Sequence, residues 1–152
     1  MFMRIGIFVD GVYLFKGLNG KRLQFDSFKK WLCKTEFVTV SKYFNSMHND
    51  TKKRLFMTHV AESGYDLHVR EPFYSLSRGQ YYNIGIDVEL AIEAMSNIDK
   101  YDSIIIVSGS RDYLPLCEKL TLNNKNVTIV GFKHTIHKLL HKYNIRYIED
   151  FL

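Results

Sequence analysis

Two short apolar runs, each followed at once by polar residues, constrain the fold of this chain most. Residues 5–9 (IGIFV) lead into Asp10, and Ser103–Val107 (SIIIV) leads into a Ser-Gly-Ser-Arg-Asp segment. Short runs without polar alternation are typical of strands that are covered on both faces, as in parallel sheets. The sequence therefore predicts a mainly parallel sheet in which both runs are buried strands.

The rest of the pattern alternates between helices and strands. The predicted helices cover residues 26–33, 50–63, 86–96, 112–122 and 135–143. The other predicted strands cover residues 36–45, 66–70, 127–130 and 146–148. Residues 71–84 are expected to form an extended loop that can include a short hairpin. Strands separated by helices imply right-handed crossovers, so we expect one α/β domain of 152 residues with helices on both faces of the sheet.

Composition and charge favour a globular cytoplasmic protein with an anionic partner. Hydrophobic residues make up 46% of the chain and charged residues 24%, which is typical of a packed domain. The net charge of +5 fits RNA or DNA as a partner. Cys33 and Cys117 form no CxxC pair, so neither a zinc site nor a disulfide framework is expected. No signal peptide is recognised, and no apolar stretch approaches the roughly 20 residues that a membrane helix needs.

Three carboxylates lie at or near the strand ends where such a sheet binds ligands. In open parallel sheets, ligands bind at the C-terminal strand ends, where the strand order reverses. Asp10 follows the first strand, Asp112 follows the Ser103–Val107 strand, and Asp87 opens the helix over residues 86–96. Clustered carboxylates repel one another, and a divalent cation such as Mg²⁺ or Mn²⁺ removes that conflict and can activate a water. Each acid also has an ordinary structural interpretation. Asp10 can be a turn residue, Asp87 an acid at a helix N-terminus, and Asp112 an N-cap.

Several segments resemble the motifs of NYN/LabA-type proteins. Residues 7–15 (IFVDGVYLF) resemble their opening motif, a strand ending in Asp-Gly that is followed by a small residue and usually Asn. Residues 85–91 (GIDVELA) look like their GVDVxLA helix start, and residues 107–116 (VSGSRDYLPL) look like their SGDxDFxPL motif. Residues 127–132 (VTIVGF) and 147–152 (YIEDFL) are similar to a VxVVGF strand and a FIDL-like end. The order and spacing of the motifs match across nearly the whole chain.

This resemblance implies a three-layer PIN-like (Rossmann-like) fold and, for the family, metal-dependent ribonuclease activity or RNA-linked regulation. It supports Asp10, Asp87 and Asp112 as catalytic acids that bind Mg²⁺ or Mn²⁺. Glu93 matches a further position that is often acidic, although a solvated helix face is an equally good interpretation of it.

The chain departs from the family pattern at three positions. The family usually has Asp at the position of Ser110, Asn or a similar residue at that of Tyr13, and often Lys at that of Ile84. Ser110 removes one negative ligand, and Arg111 places beside it a cation that favours a phosphate over a metal. We therefore predict weakened metal binding. The residues predicted to contact substrate are Ser108, Ser110, Arg111, Tyr13 and Arg78.

Two other groups of residues suggest surfaces. His134, His137 and His141 fall at i, i+3 and i+7 of one predicted helix, and we interpret them as a partly exposed basic face because no acid or Cys partner is evident. The segment around residues 70–82 interleaves cations and aromatic rings, which is typical both of a single-strand binding surface and of a dimer interface. Its residues are Arg70, Phe73, Tyr74, Arg78, Tyr81 and Tyr82.

The sequence thus supports three hypotheses of function. The first is a metal-dependent endoribonuclease that acts on single-stranded RNA. The second is a nuclease-like domain with weakened or lost catalysis that binds RNA or a protein, because of Ser110. The third is a homo-oligomeric adaptor, such as a homodimer, that works through the aromatic loop.

Overall fold

Strands and helices alternate along the chain, as the sequence predicts. A computed structural model describes residues 3–34 and 37–152. The strands are β1 (Ile5–Asp10), β2 (Val38–Ser46), β3 (Asp66–Arg70), β4 (Phe73–Ser75), β5 (Gln80–Tyr82), β6 (Ser103–Val107), β7 (Asn126–Gly131) and β8 (Asn144–Tyr147). The helices are α1 (Gly11–Leu18), α2 (Phe25–Leu32), α3 (Thr51–Glu62), α4 (Ile86–Ser96) and α5 (Leu114–Leu122).

The central sheet has six strands in the order β3-β2-β1-β6-β7-β8, and all neighbouring pairs are parallel. β1 pairs with β2 on one side and with β6 on the other, where Val9 lies opposite Val107. The chain runs outward from β1 to β3 and then returns to β6, so the strand order reverses between β1 and β6. Asp10 and the residues after Val107 therefore leave neighbouring strands at the same edge of the sheet.

Helices cover both faces of the sheet, which explains why its central strands carry no polar alternation. Ile7 and Val9 of β1 pack with residues of α1 and α2 in one core cluster. Phe8 of β1 packs on the other face with Ile104 and Ile106 of β6 and with residues of α4 and α5. The prediction of a three-layer α/β fold with a mainly parallel sheet is confirmed.

The predicted helix over residues 135–143 is wrong. The segment contains a turn that ends at Thr135, a bend at Ile136 and a short 3₁₀ turn, Lys138–Leu140. The His137 N–H donates to the Gly109 carbonyl at 2.9 Å, and His137 itself has the extended angles φ −62° and ψ 140°. Because a long-range bond holds His137 in an extended conformation, an α-helical ladder cannot pass through it.

The three histidines therefore share no helix face. His137 Nδ1 accepts a hydrogen bond from the Leu139 N–H at 3.2 Å. His141 Nε2 lies 3.3 Å from the Ile136 carbonyl, and His134 is exposed. These side chains serve the local turn rather than one common basic face.

Helix starts differ from the prediction at two places. α1 follows β1 without a loop; its pattern is too short and too rich in Gly to be recognised from periodicity. α5 begins at Leu114 rather than at Asp112, because a 3₁₀ turn capped by Ser110 precedes it. Pro115 lies in the first turn of α5, as predicted.

The segment expected to be an extended loop contains a short antiparallel hairpin, β4–β5, in which Tyr74 lies opposite Tyr81. Residue 36, the predicted start of the second strand, lies outside the described residues. Among the described residues, no helix combines the length and the apolarity needed to cross a membrane.

Candidate carboxylate site at the sheet edge

Asp10 lies at the point where β1 ends and α1 begins. Its Oδ1 accepts a hydrogen bond from the Tyr13 N–H at 3.0 Å, so the side chain is the N-cap of α1. An N-cap carboxylate satisfies one free N–H group of the first turn. The structural role that Asp10 performs is therefore a helix cap, and this role uses one of its two oxygens.

The second oxygen of Asp10 is occupied by two hydroxyl groups. Ser108 Oγ donates to Oδ2 at 3.1 Å, and the Tyr113 hydroxyl donates to the same oxygen at 3.0 Å. Since a carboxylate oxygen offers about two lone pairs, Oδ2 is fully used and Oδ1 keeps one free direction. Asp10 is buried, and this burial raises the pKa of its carboxyl, whereas the three hydrogen bonds partly offset the increase.

Asp87 and Asp112 approach the same place from other elements. Asp87 lies in the first turn of α4 and is half-buried, and Asp112 is exposed in the 3₁₀ turn before α5. Both line a shallow pocket of about 510 Å³ beside Val88. Burial is the main cause that raises the pKa of the Tyr113 phenol, and the charges of Asp10, Asp87 and Asp112 add to it. Asp10 thus contacts this phenol, and Asp87 and Asp112 lie near enough for their charges to raise its pKa.

Ser110 stabilises the loop between β6 and α5. Its Oγ accepts a hydrogen bond from the Asp112 N–H at 3.2 Å, and its own N–H donates to Ser108 Oγ at 3.2 Å. The Ser108 hydroxyl in turn donates to Asp10. A chain of hydrogen bonds therefore runs from the turn through Ser108 to the carboxylate.

The side chains at this edge do not match a divalent-cation site as they stand. Among residues 3–34 and 37–152, no three His, Cys, Asp or Glu side chains are close enough to hold one ion together. Mg²⁺ and Mn²⁺ need oxygen ligands with free lone pairs and negative charge. Asp10 has given Oδ2 to two hydroxyl donors, and Ser110 supplies no charge. The donor set therefore does not fit the ion that the family resemblance implies.

The Tyr113 hydroxyl is a feature that the sequence analysis missed. The motif SGDxDFxPL, which residues 107–116 resemble, has Phe at the position of Tyr113. The extra hydroxyl donates to Asp10 within the core. The Phe-to-Tyr difference from the motif is the signal that could have identified it.

Tyr13 closes the loops after β6 and β7 instead of facing an open site. Its hydroxyl accepts from the Phe132 N–H at 2.8 Å and lies 2.6 Å from Thr135 Oγ1. An added Cβ at Gly109 or Gly131 would come within 2.8 Å and 2.7 Å of this hydroxyl, so both positions need glycine to let the phenol in. The Tyr13 hydroxyl thus links three segments at the sheet edge.

The remaining residues of the predicted site lie in different surroundings. Arg111 is exposed, and its side chain has no hydrogen bond or ion pair within the described part of the chain. Arg78 lies in the turn of the β4–β5 hairpin, with its guanidinium 5.8 Å from the centre of the Tyr82 ring. Glu93 pairs with Lys42 of β2 at 3.9 Å and with His68 of β3 at 3.5 Å. Of Arg111, Arg78 and Glu93, only Arg111 has a side chain without a partner among the described residues and is also adjacent in sequence to one of the three acids, Asp112.

Comparisons with known proteins agree on the family and the fold. A family model described as "NYN domain" matches residues 4–149. The low amplitude and bright protein LabA of Synechococcus elongatus is 24% identical over 154 aligned positions, which cover 96% of this chain and 83% of LabA. A crystal structure of a protein of unknown function from Vibrio parahaemolyticus superimposes with a TM-score of 0.80 at 24% identity, covering 97% of this chain and 94% of the other.

Proposed function

The chain belongs to the NYN domain family, a PIN-like nuclease family, and from this premise we propose that it binds single-stranded RNA at the edge of its sheet without metal-dependent cleavage. The observation that carries the proposal is the hydrogen bond from Tyr113 to Asp10. Together with the Ser108 hydroxyl, it uses both lone pairs of Oδ2, so that only one direction of Oδ1 is left for a cation. Ser110, at a position where the family usually has Asp, lowers the negative charge further.

Three properties of the chain support RNA as the partner. Its net charge is +5, which favours a polyanion. Arg111 offers an unpaired guanidinium beside the carboxylate site, and a guanidinium can hold a phosphate through two parallel hydrogen bonds. The β4–β5 hairpin presents exposed aromatic rings, among them Phe73 and Tyr74, on which bases can stack.

A cleavage assay with restored family residues tests this proposal. Wild-type protein is incubated with labelled single-stranded RNA in Mn²⁺ beside the double variant Ser110→Asp/Tyr113→Phe. We expect the wild type to bind the RNA and leave it intact, and the double variant to gain Mn²⁺-dependent cleavage. The variant Tyr101→Phe is the control, because Tyr101 is equally buried but its hydroxyl donates to the Ala94 carbonyl.

A second candidate function is a metal-dependent endoribonuclease in which Asp10, Asp87 and Asp112 hold the ion. Two observations favour it: the charges of the three acids all raise the pKa of the Tyr113 phenol, and Asp87 and Asp112 line one pocket. In the same assay, wild-type cleavage that needs Mn²⁺ and disappears in Asp10→Asn would establish this function and refute the proposal above.

A further inference from the structure

A deep apolar pocket opens between α1 and α3, beside the carboxylate site. We call it the α1–α3 pocket; its volume is about 590 Å³, which is within the range of small-ligand sites. Leu14, Leu18, Phe25 and Phe56 line its interior. Phe15 and Leu55 also line it but are 56% and 68% exposed, so they form its mouth. The carboxylate chemistry does not use this pocket, and the opening family motif, residues 7–15, contributes only Leu14 and Phe15 to its lining.

The mouth of the pocket is positively charged. Lys21 and Arg22 line it, both are exposed, and neither side chain has an ion pair or hydrogen bond within residues 3–34 and 37–152. Lys53 lies over the Phe15 ring with its Nζ 4.9 Å from the ring centre. No Asp or Glu of the described residues lines the pocket. An occupant that is flat and apolar but carries negative charge outside the pocket complements these features.

Helix α1 connects the pocket with the carboxylate site. The ring of Tyr43 lines the pocket, and an added Cβ at Gly11 would come within 2.5 Å of the Tyr43 hydroxyl. Gly11 is the residue next to Asp10 and the first residue of α1. α1 has eight residues, so about 12 Å of helix joins Asp10 to the far end of the pocket. One extended polymer can therefore reach both places.

We propose that the α1–α3 pocket binds a nucleobase of single-stranded RNA, while the phosphates of the strand follow Lys21 and Arg22 toward Asp10. This inference rests on the proposed function, RNA binding, and adds the pocket in which one base of the RNA is held. A base inserts a flat ring against Phe15 and Phe56, as in stacking platforms for single strands. The neighbouring phosphates form ion pairs with the side chains of Lys21 and Arg22. A second copy of the chain would instead need a broad complementary surface of about 800 Å² per partner, which a concave pocket does not offer by itself.

Fluorescence anisotropy with two labelled oligomers of about 12 nucleotides tests the proposal. One oligomer is a single-stranded oligouridylate, and the other has the same backbone without bases. Phe15→Ala should weaken binding of the base-bearing oligomer about 5- to 100-fold and leave the abasic oligomer unaffected. Arg22→Gln should weaken both oligomers and lower the salt dependence of binding by about one ion.

The matched control is Leu122→Ala. Leu122 is the last residue of α5, it is 78% exposed, and it lines neither the α1–α3 pocket nor the hairpin. It should leave the preference for bases over the abasic backbone unchanged. Thermal denaturation of all variants confirms folding, which we expect because the substituted side chains are exposed.

Each other outcome overturns a defined part of the argument. If wild-type protein binds RNA and Phe15→Ala binds it equally well, the pocket is not a base site, although the proposed function stands. If wild-type protein binds neither oligomer, both proposals fail. If Leu55→Glu abolishes self-association at high protein concentration and leaves RNA binding unchanged, a second copy of the chain occupies the pocket instead.

Discussion

Replacing Tyr113 with Phe removes one hydroxyl group and leaves a fully buried ring in place. That hydroxyl donates to Asp10 Oδ2 at 3.0 Å. A hydrogen bond to a charged group contributes about 1.5–3 kcal/mol to stability. Because Ser108 still donates to the same oxygen, we expect a loss near the lower end, about 1.5–2 kcal/mol. For a chain of this length, such a loss lowers Tm by about 3–8 °C.

The cost of Tyr113→Phe should depend on pH. Burial raises the pKa of Asp10 above 3.8, and the Tyr113 hydrogen bond lowers it again in part. Removing that bond raises the folded-state pKa of Asp10 further. A carboxyl whose pKa is higher in the folded state than in the unfolded state binds more protons in the folded state. The free energy of unfolding therefore falls as the pH rises from the unfolded-state pKa through the folded-state pKa. The free energy of unfolding that Tyr113→Phe loses is therefore small near pH 3.8, and it reaches its full size above the folded-state pKa of Asp10.

Urea denaturation on both sides of this window measures the effect. The variant and wild type are compared at about pH 4 and about pH 7. The control Tyr101→Phe also loses a buried hydrogen bond, but its acceptor is the neutral Ala94 carbonyl, so its cost should not change with pH. Equal losses for Tyr113→Phe at both pH values would refute the claim that its hydroxyl stabilises the ionised form of Asp10.

Three further substitutions test separate parts of the structure. Asp10→Asn keeps an acceptor for the N-cap bond but replaces Oδ2, the acceptor of Ser108 and Tyr113, with an amide group; urea denaturation at about pH 7 should show a loss of about 1–3 kcal/mol, and unchanged stability would contradict this account. Gly17→Ala places a methyl 1.9 Å from the Phe132 ring, so calorimetry should show a loss of about 1–3 kcal/mol despite the better helix propensity of Ala, and a higher Tm would disprove that contact. Arg146→Lys keeps the charge but loses two hydrogen bonds of 2.8 Å to backbone carbonyls and the stacking of the guanidinium 4.1 Å from the centre of the Trp31 ring. Thermal denaturation should show about 1–2 kcal/mol less stability, and an unchanged Tm would mean that these contacts contribute nothing.

The elements with strong local patterns could be predicted from the sequence. β3, β6 and α4 have the predicted bounds. β6 is a short β-branched run, β3 alternates polar and apolar residues, and α4 shows a helical spacing of apolar residues. The sequence did not predict which strands flank the reversal; the structure places it between β1 and β6, so that Asp10 lies at the C-terminal strand end where the general rule expects a site.

The features that depend on long-range contacts could not be predicted. The segment after β7 has helical periodicity, but the bond from the His137 N–H to the Gly109 carbonyl holds His137 in an extended conformation and interrupts a helix there. Asp10 was expected to be a free ligand or a turn residue, whereas it caps α1 and accepts the Tyr113 hydroxyl from 103 positions away. Hydrogen bonds between distant side chains leave no periodic signal. The departure from the family motif at Ser110 was recognised, but the Phe-to-Tyr difference at Tyr113 was missed.

Direct measurement of Mn²⁺ binding by electron paramagnetic resonance tests the central claim, that Asp10 is satisfied by hydroxyl donors and not by a cation. The signal of free Mn²⁺ is recorded as protein is added, for wild type, for Asp10→Asn and for Ser110→Asp/Tyr113→Phe. We predict that the wild type and Asp10→Asn leave the free signal equally unchanged at millimolar protein, and that the double variant removes it. One Mn²⁺ bound per wild-type chain, and lost in Asp10→Asn, would contradict the account.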